Sequence, residues 1–360
     1  MRKTVLNEVH KALGARMVEF AGYEMPVEYS GITSEHNAVR SDVGIFDVSH
    51  MGEFYVEGEN AVKYLQRITS NNIEKIKIGK AQYNLMLNER GGVIDDLLVY
   101  RLKESRFLLV VNASNRQKDF DWCQSKLIPG VNLSDKSDDI SLLAVQGPKA
   151  LSLLQRLTKS DLSKVPFYSF IHSDFAGVEN VLLSNTGYTG SGGFEIYCSN
   201  SDCEAIWRAL IGEGEEFGLV PAGLGARDTL RLEKGLCLHG NDLDETTTPI
   251  EAGLSFAVKI DEGNDFIGKK IVVKQKKEGV KRRLRGFAMQ ERGIPRKGYE
   301  ILNSNGDVIG TVTSGSVSPG LNKGIGMGYI KNEDAYLESE IFIRIRKRLV
   351  SAIIVKTPFV

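Results

Sequence analysis

The chain has 360 residues, enough for two or three domains with an ample core. Its 46 basic side chains match 46 acidic ones, and this zero net charge argues against a dedicated nucleic-acid binder. Hydrophobic residues make up 42%, and no apolar run approaches a membrane span. Met1–His10 leads into a helix-like pattern with no signal or transit character, so a cytoplasmic protein that does not enter membranes is expected. Cys123, Cys198, Cys203 and Cys237 form no Cys-x-x-Cys pair and read as reduced, partly buried thiols. His10, His36, His50, His172 and His239 lack metal spacing, so no metal site is expected.

In chain order, residues 33–42 and 59–68 read as short amphipathic helices, the first with Thr33 or Ser34 as N-cap. Tyr83–Asn88, Val93–Leu102 and Phe107–Asn112 read as an antiparallel meander, with Glu89-Arg90-Gly91-Gly92 turning between the first two strands. Ser201–Glu213 and Ala226–Lys234 read as helices. The polar, basic stretch from Lys274 to Arg283 reads as a solvated linker and a domain boundary. Leu284–Met289, Gly298–Leu302, Val308–Thr313, Ile325–Ile330 and Ile341–Ile345 follow as short β-segments, the pattern of a small barrel or sandwich.

The most informative stretch is Gly91-Gly92-Val93-Ile94-Asp95-Asp96-Leu97-Leu98-Val99-Tyr100. Neighbouring strand side chains point to opposite faces, so Asp95 and Asp96 cannot both face solvent on a strand with one buried side. A buried carboxylate needs partners or a task; a strand-end Asp that caps a turn or meets an Arg is the plainer alternative. If Asn88 pairs with Val93, Tyr83 lies diagonal to Asp96 on one face, while a one-residue slip would put Asp95 there. Such a ring beside a carboxylate would wall a flat heterocycle. Downstream, four glycines between Thr186 and Gly193 lack both the Walker A and the Gly-x-Gly-x-x-Gly spacing. They read as a tight turn in which the backbone closely approaches another group, delivering Glu195 into an apolar strand. Glu195 suits a paired N–H edge or an Arg partner. Arg227 opens a helix, where it would bind an anionic tail or pair with Glu195 or Asp228. No dinucleotide fingerprint and no Ser-His-Asp set is evident.

Seven stretches in order carry a family resemblance: Phe20–Pro26, Gly44–Gly52, Gly91–Leu97, Gln146–Ala150, Thr186–Gly190, Pro221–Glu233 and Leu236–Asp242. Together they closely resemble the T-protein of the glycine cleavage system, a tetrahydrofolate-dependent aminomethyltransferase. The resemblance implies an α+β, three-lobed cloverleaf with a C-terminal β-barrel lobe, divided here as residues 1–276 and 277–360. It implies transfer of the one-carbon unit from aminomethyl-lipoyl H-protein to tetrahydrofolate, giving ammonia, 5,10-methylenetetrahydrofolate and dihydrolipoyl H-protein, with P-protein and L-protein in the same pathway. Tetrahydrofolate would be the acceptor substrate, with no metal and no nucleotide. Matched onto the family motifs, Asp96 is the catalytic carboxylate, and Tyr83, Asn112, Tyr168, Tyr188, Glu195 and Arg227 line the folate site.

One departure concerns the end of the chain. The family's chain usually continues past its final Pro-Phe and supplies a ligand contact there, whereas this sequence stops at Thr357-Pro358-Phe359-Val360. Related alternatives are a folate-dependent demethylase, the folate domain of a sarcosine-type oxidase, or a non-catalytic folate-binding maintenance protein. The last keeps a Lys-Gly-Cys-type motif, but Lys234-Gly235-Leu236-Cys237 follows the T-protein pattern instead.

Overall fold

The computed structural model describes residues 1–260 and 264–360 as a mixed α and β protein. Two compact units are each assembled from separated stretches: Met1–Tyr64, Glu74–Gln82 and Leu97–Asp228 form the first, and Leu65–Ile73, Tyr83–Asp96 and Thr229–Val360 the second.

In the first unit a six-stranded sheet runs in the order Phe170–Phe175, Val178–Ser184, Gly193–Ser199, Ile140–Gln146, Val43–Asp47, Leu219–Pro221. Only its last pair is parallel. The helix Asn200–Gly214 buries Cys203, Ile206, Trp207 and Leu210, an i, i+3, i+4, i+7 stripe, in a core with Val43, Ile45, Leu143, Val145 and Ile196. Gly52–Glu57 pairs antiparallel with both Arg106–Val111 and Asn132–Asp135. The expected meander is present as Lys80–Leu87, Val93–Lys103 and Arg106–Val111; its first two strands run through the division between the units.

The helix expected at 33–42 spans Ile32–Ser41, but neither Thr33 nor Ser34 caps it. Gly31 takes the N-cap position, and the buried Glu35 carboxylate accepts from Tyr29, Ser30 and Gly31 N–H at 2.6, 2.9 and 3.2 Å. These amides precede the helix proper, and its first N–H, that of Ile32, donates to Glu28 Oε2 at 3.2 Å.

In the second unit the strands Arg282–Met289, Lys323–Lys331, Val308–Ser318, Glu300–Leu302, Glu340–Ile345 and Arg348–Val355 close into a barrel. Five match the expected segments. The sixth begins at Arg348, directly behind Arg346 and Lys347, and that run of charge disguises it. Its buried Val350, Ala352 and Ile354 nevertheless alternate with period two. The basic stretch expected as linker begins as the second half of the helix Lys269–Glu278, which is bounded by Gly268 and Gly279 and anchored by the buried Val272, and it ends in the first barrel strand at Arg282. A single apolar anchor among lysines suffices because the remaining faces are solvated.

His50 joins Val43–Asp47 to Gly52–Glu57 in the first unit and is 2% exposed, edge-on to Phe20 at 5.5 Å. Burial, reinforced by the charge of Arg227, lowers its pKa from 6.5 to about 4. An unfolded chain therefore takes up a proton below pH 6.5 that the folded chain refuses, and stability falls as pH drops through that window. At pH 5 this single group should cost about 2 kcal/mol. Denaturant titrations at pH 7 and pH 5 should show a smaller acid loss for His50→Asn than for wild type; equal losses would clear His50.

Candidate active site

The second unit holds the Asp95–Asp96 hairpin. Asn88 N–H donates to Gly92 O at 2.9 Å and Gly91 N–H donates to Asn88 O at 2.9 Å, with Gly91 at φ +78°. The turn thus closes one residue before the expected Asn88–Val93 pairing, as a bulged hairpin. Val93 N–H instead donates to Asp244 O and Thr247 O, at 3.0 and 2.9 Å. Gly92 lies so close to the Glu245 carbonyl that a Cβ would sit 1.9 Å from its oxygen. Asn88 locks the turn by accepting from Arg90 and Gly92 N–H and donating to Glu245 O.

The two carboxylates then part company. Asp95 is 0% exposed, whereas Asp96 keeps partial access. Tyr83 Oη donates to Asp96 Oδ2 at 3.0 Å, so the expected aromatic–carboxylate pair is formed despite the shifted turn. The Tyr83 ring also stacks on the exposed Phe256, with centroids 5.9 Å apart. His239 Nε2 lies 3.2 Å from Val93 O; a carbonyl only accepts, so this nitrogen carries the proton. His239 Nδ1 faces Asp95 Oδ1 at 3.9 Å. Burial, followed by the negative charges of Asp242 and Asp96, raises the Cys237 thiol well above its ordinary value and keeps it protonated.

The remaining candidates belong to the first unit. Glu195 lies on Gly193–Ser199, opposite Ser184 on one neighbouring strand and Ala144 on the other. It is 7% exposed, and Thr186 Oγ1 donates to its Oε2 at 2.5 Å. Burial raises its pKa, opposed by the Thr186 hydrogen bond and then by the Arg227 charge. Arg227 sits in the first turn of the helix Leu224–Glu233, with its guanidinium carbon 4.7 Å from the Tyr188 ring centroid. Desolvation lowers its pKa, and Tyr188 and Glu195 oppose the shift. Tyr188, Arg227 and Glu195 thus form one electrostatic group: a flat cation on an aromatic face beside a buried acid.

Tyr168 and Asn112 are placed separately. Tyr168 has φ +58°, a left-handed conformation costly for a large side chain. Its N–H donates to Asn185 O at 2.9 Å and its carbonyl accepts from Ala81 N–H at 3.0 Å, which hold it there. Asn112 follows the strand Arg106–Val111 and accepts from Asn115 N–H at 2.9 Å through its backbone, without a side-chain cap.

The glycine-rich loop packs closely, as expected of a tight turn. A Cβ on Gly187 would lie 1.9 Å from Gln146 Oε1, and that side chain donates to Thr186 O and accepts from Thr189 Oγ1. Arg40 Nη1 holds the loop through Thr189 O and Ser191 Oγ at 2.6 and 2.7 Å. Inspection of the sequence missed Thr186 as the partner of Glu195 and His239 as the neighbour of Asp95. Both lie inside motifs quoted above; polar residues within otherwise apolar, glycine-bounded stretches were the signal available.

The chain matches the family described as the GCVT N-terminal domain over residues 6–262, and the glycine cleavage T-protein C-terminal barrel domain over residues 282–360. It is 56% identical to an aminomethyltransferase of Bacteroides thetaiotaomicron, over 100% of this chain and 99% of that one. It is 50% identical to an aminomethyltransferase of Porphyromonas gingivalis, with the same shares covered. Among solved structures, glycine cleavage system aminomethyltransferase T from Bartonella henselae superposes with a TM-score of 0.93 at 34% identity, covering 100% of this chain and 98% of that one. Full-length identity and fold agree, and the chain belongs to the glycine cleavage T-protein family of aminomethyltransferases.

Proposed function

We propose that this enzyme transfers the one-carbon unit of aminomethyl-lipoyl H-protein to tetrahydrofolate, releasing ammonia and leaving 5,10-methylenetetrahydrofolate and dihydrolipoyl H-protein. It would act in the cytoplasm, in a system completed by P-protein and L-protein. Residues 1–276 would form the folate-handling region and residues 277–360 the barrel lobe. The observation that carries this reading is the half-accessible Asp96, with one oxygen tied to the Tyr83 hydroxyl and its neighbour Asp95 fully buried.

Tetrahydrofolate presents a flat pterin with a guanidine-like donor edge and supplies the nucleophilic nitrogen. The residues present fit those demands. Glu195 is a buried carboxylate with an acceptor oxygen beyond the one Thr186 occupies, suited to paired N–H donors. Tyr188 and Tyr83 offer aromatic faces, Arg227 a cation for an anionic tail, and Asn112 and Tyr168 further polar contacts. Asp96 stabilises the positive charge that develops as ammonia departs, or takes up a proton from the attacking nitrogen. Tyr83 fixes the orientation of that carboxylate before the chemistry begins.

Asp96→Asn keeps the shape and removes the charge. It should lower turnover by about 100-fold or more while tetrahydrofolate still binds. Ammonia and methylenetetrahydrofolate release from aminomethyl-loaded H-protein measures the first, and folate titration the second. Normal turnover would remove Asp96 from the mechanism, and a folate-binding wild type that releases nothing would point to a demethylase or a non-catalytic folate protein. Tyr83→Phe loses a single hydrogen bond to Asp96 and should lower kcat by about 5-fold. In the same assay, an unchanged kcat would show that the Tyr83 hydroxyl does not orient the acid.

A further inference from the structure

Behind Glu195 the first unit buries a cluster of hydroxyls that the proposed chemistry leaves unused. Thr186 Oγ1 donates to Glu195 Oε2. Ser184 Oγ lies 2.9 Å from Thr186 Oγ1 and 3.2 Å from Tyr100 Oη. Tyr100 Oη in turn lies 3.2 Å from Thr186 Oγ1 and 3.0 Å from Tyr197 Oη. All four hydroxyl residues are buried. Burial raises both phenols above their ordinary range, so they remain neutral donors.

Each hydroxyl has one proton to donate. Thr186 spends its proton on Glu195 and can only accept from Ser184 and Tyr100. Tyr197 donates to Tyr100, Tyr100 to Thr186, and Ser184 to either neighbour. In this order every hydroxyl proton has an acceptor within the cluster, and the chain ends on a carboxylate. A buried donor left unmade is expensive, and this order leaves none.

We propose that Thr186, Tyr100, Ser184 and Tyr197 are a positioning relay that holds Glu195 as a hydrogen-bond acceptor in one orientation, so that the site selects ligands presenting paired N–H donors and rejects those lacking them. The proposal rests on the reading of Glu195 as the pterin anchor. The relay touches no substrate; it determines what Glu195 is able to accept. The Thr186 hydrogen bond also opposes the desolvation that favours the protonated form of this acid.

The test compares binding of tetrahydrofolate with binding of its 2-desamino analogue, which lacks one N–H donor group, across Glu195→Gln, Thr186→Val, Thr186→Ser and Tyr100→Phe. Thr186→Val should weaken tetrahydrofolate by about 10-fold and narrow the preference over the analogue by a similar factor. Thr186→Ser keeps the hydroxyl and should stay within about 3-fold of wild type, and Tyr100→Phe should lose about 3-fold. If Thr186→Val disturbs folding, the Ser and Phe variants still decide. Weaker binding with an unchanged preference between the two ligands would mark a merely structural role and overturn the relay. So would wild-type behaviour of the Thr186 and Tyr100 variants beside a defective Glu195→Gln. If Glu195→Gln itself binds and discriminates as wild type, the anchor reading falls and takes the relay with it.

Discussion

A strand sends successive side chains to opposite faces, and two adjacent carboxylates in one strand must therefore meet two different environments. In this chain that rule separates Asp95 from Asp96. Asp95 turns into the interior beside His239, and Asp96 turns toward Tyr83 and keeps its access. The rest of the second unit's site arrangement serves that separation. Gly92 leaves room for the Glu245 carbonyl, Asn88 locks the turn, and the carbonyls of Asp244 and Thr247 hold the first strand amide.

The first unit handles buried acids in two contrasting ways. Glu195 accepts from the Thr186 hydroxyl, which Ser184 backs in turn. Glu53, on the strand Gly52–Glu57, is fully buried, and neither of its carboxylate oxygens has a hydrogen-bonding partner among the described residues. Burial raises its carboxyl well above the usual carboxylate range, only partly opposed by Arg116. Burial acts on both acids, and the Thr186 hydrogen bond and the Arg227 charge oppose it at Glu195.

What was legible in the sequence was local or ordered along the chain. The Gly91-Gly92 hairpin, the helix around Trp207, the helix carrying Arg227 and five of the six barrel strands follow from period and turn chemistry. What escaped was set by pairing between distant stretches. Glu35 reaches back to three amides ahead of the helix, a geometry that spacing alone does not reveal beside Thr33 or Ser34. The helix Lys269–Glu278 hid behind its lysines because a single buried Val272 is a weak periodic signal. The relay behind Glu195 depends on the register that sets Ser184 across from it and on Tyr100 arriving from another sheet. The glycine-rich loop was readable as a close approach, but its partner, Gln146, lies far upstream.

The way the second unit is threaded has a consequence for how the enzyme comes into being. The strand bearing Asp96 belongs with Thr229–Val360, and the Asn88–Glu245 hydrogen bond spans 157 positions of chain. Closing so long a loop precedes any reward from the contact, which slows assembly. A chain emerging from the ribosome carries Asp96 well before the Asp244 and Thr247 carbonyls that seat its strand have been made. The setting of Asp96 is therefore completed late in folding, and a chain truncated before residue 244 lacks the carbonyls that seat its strand.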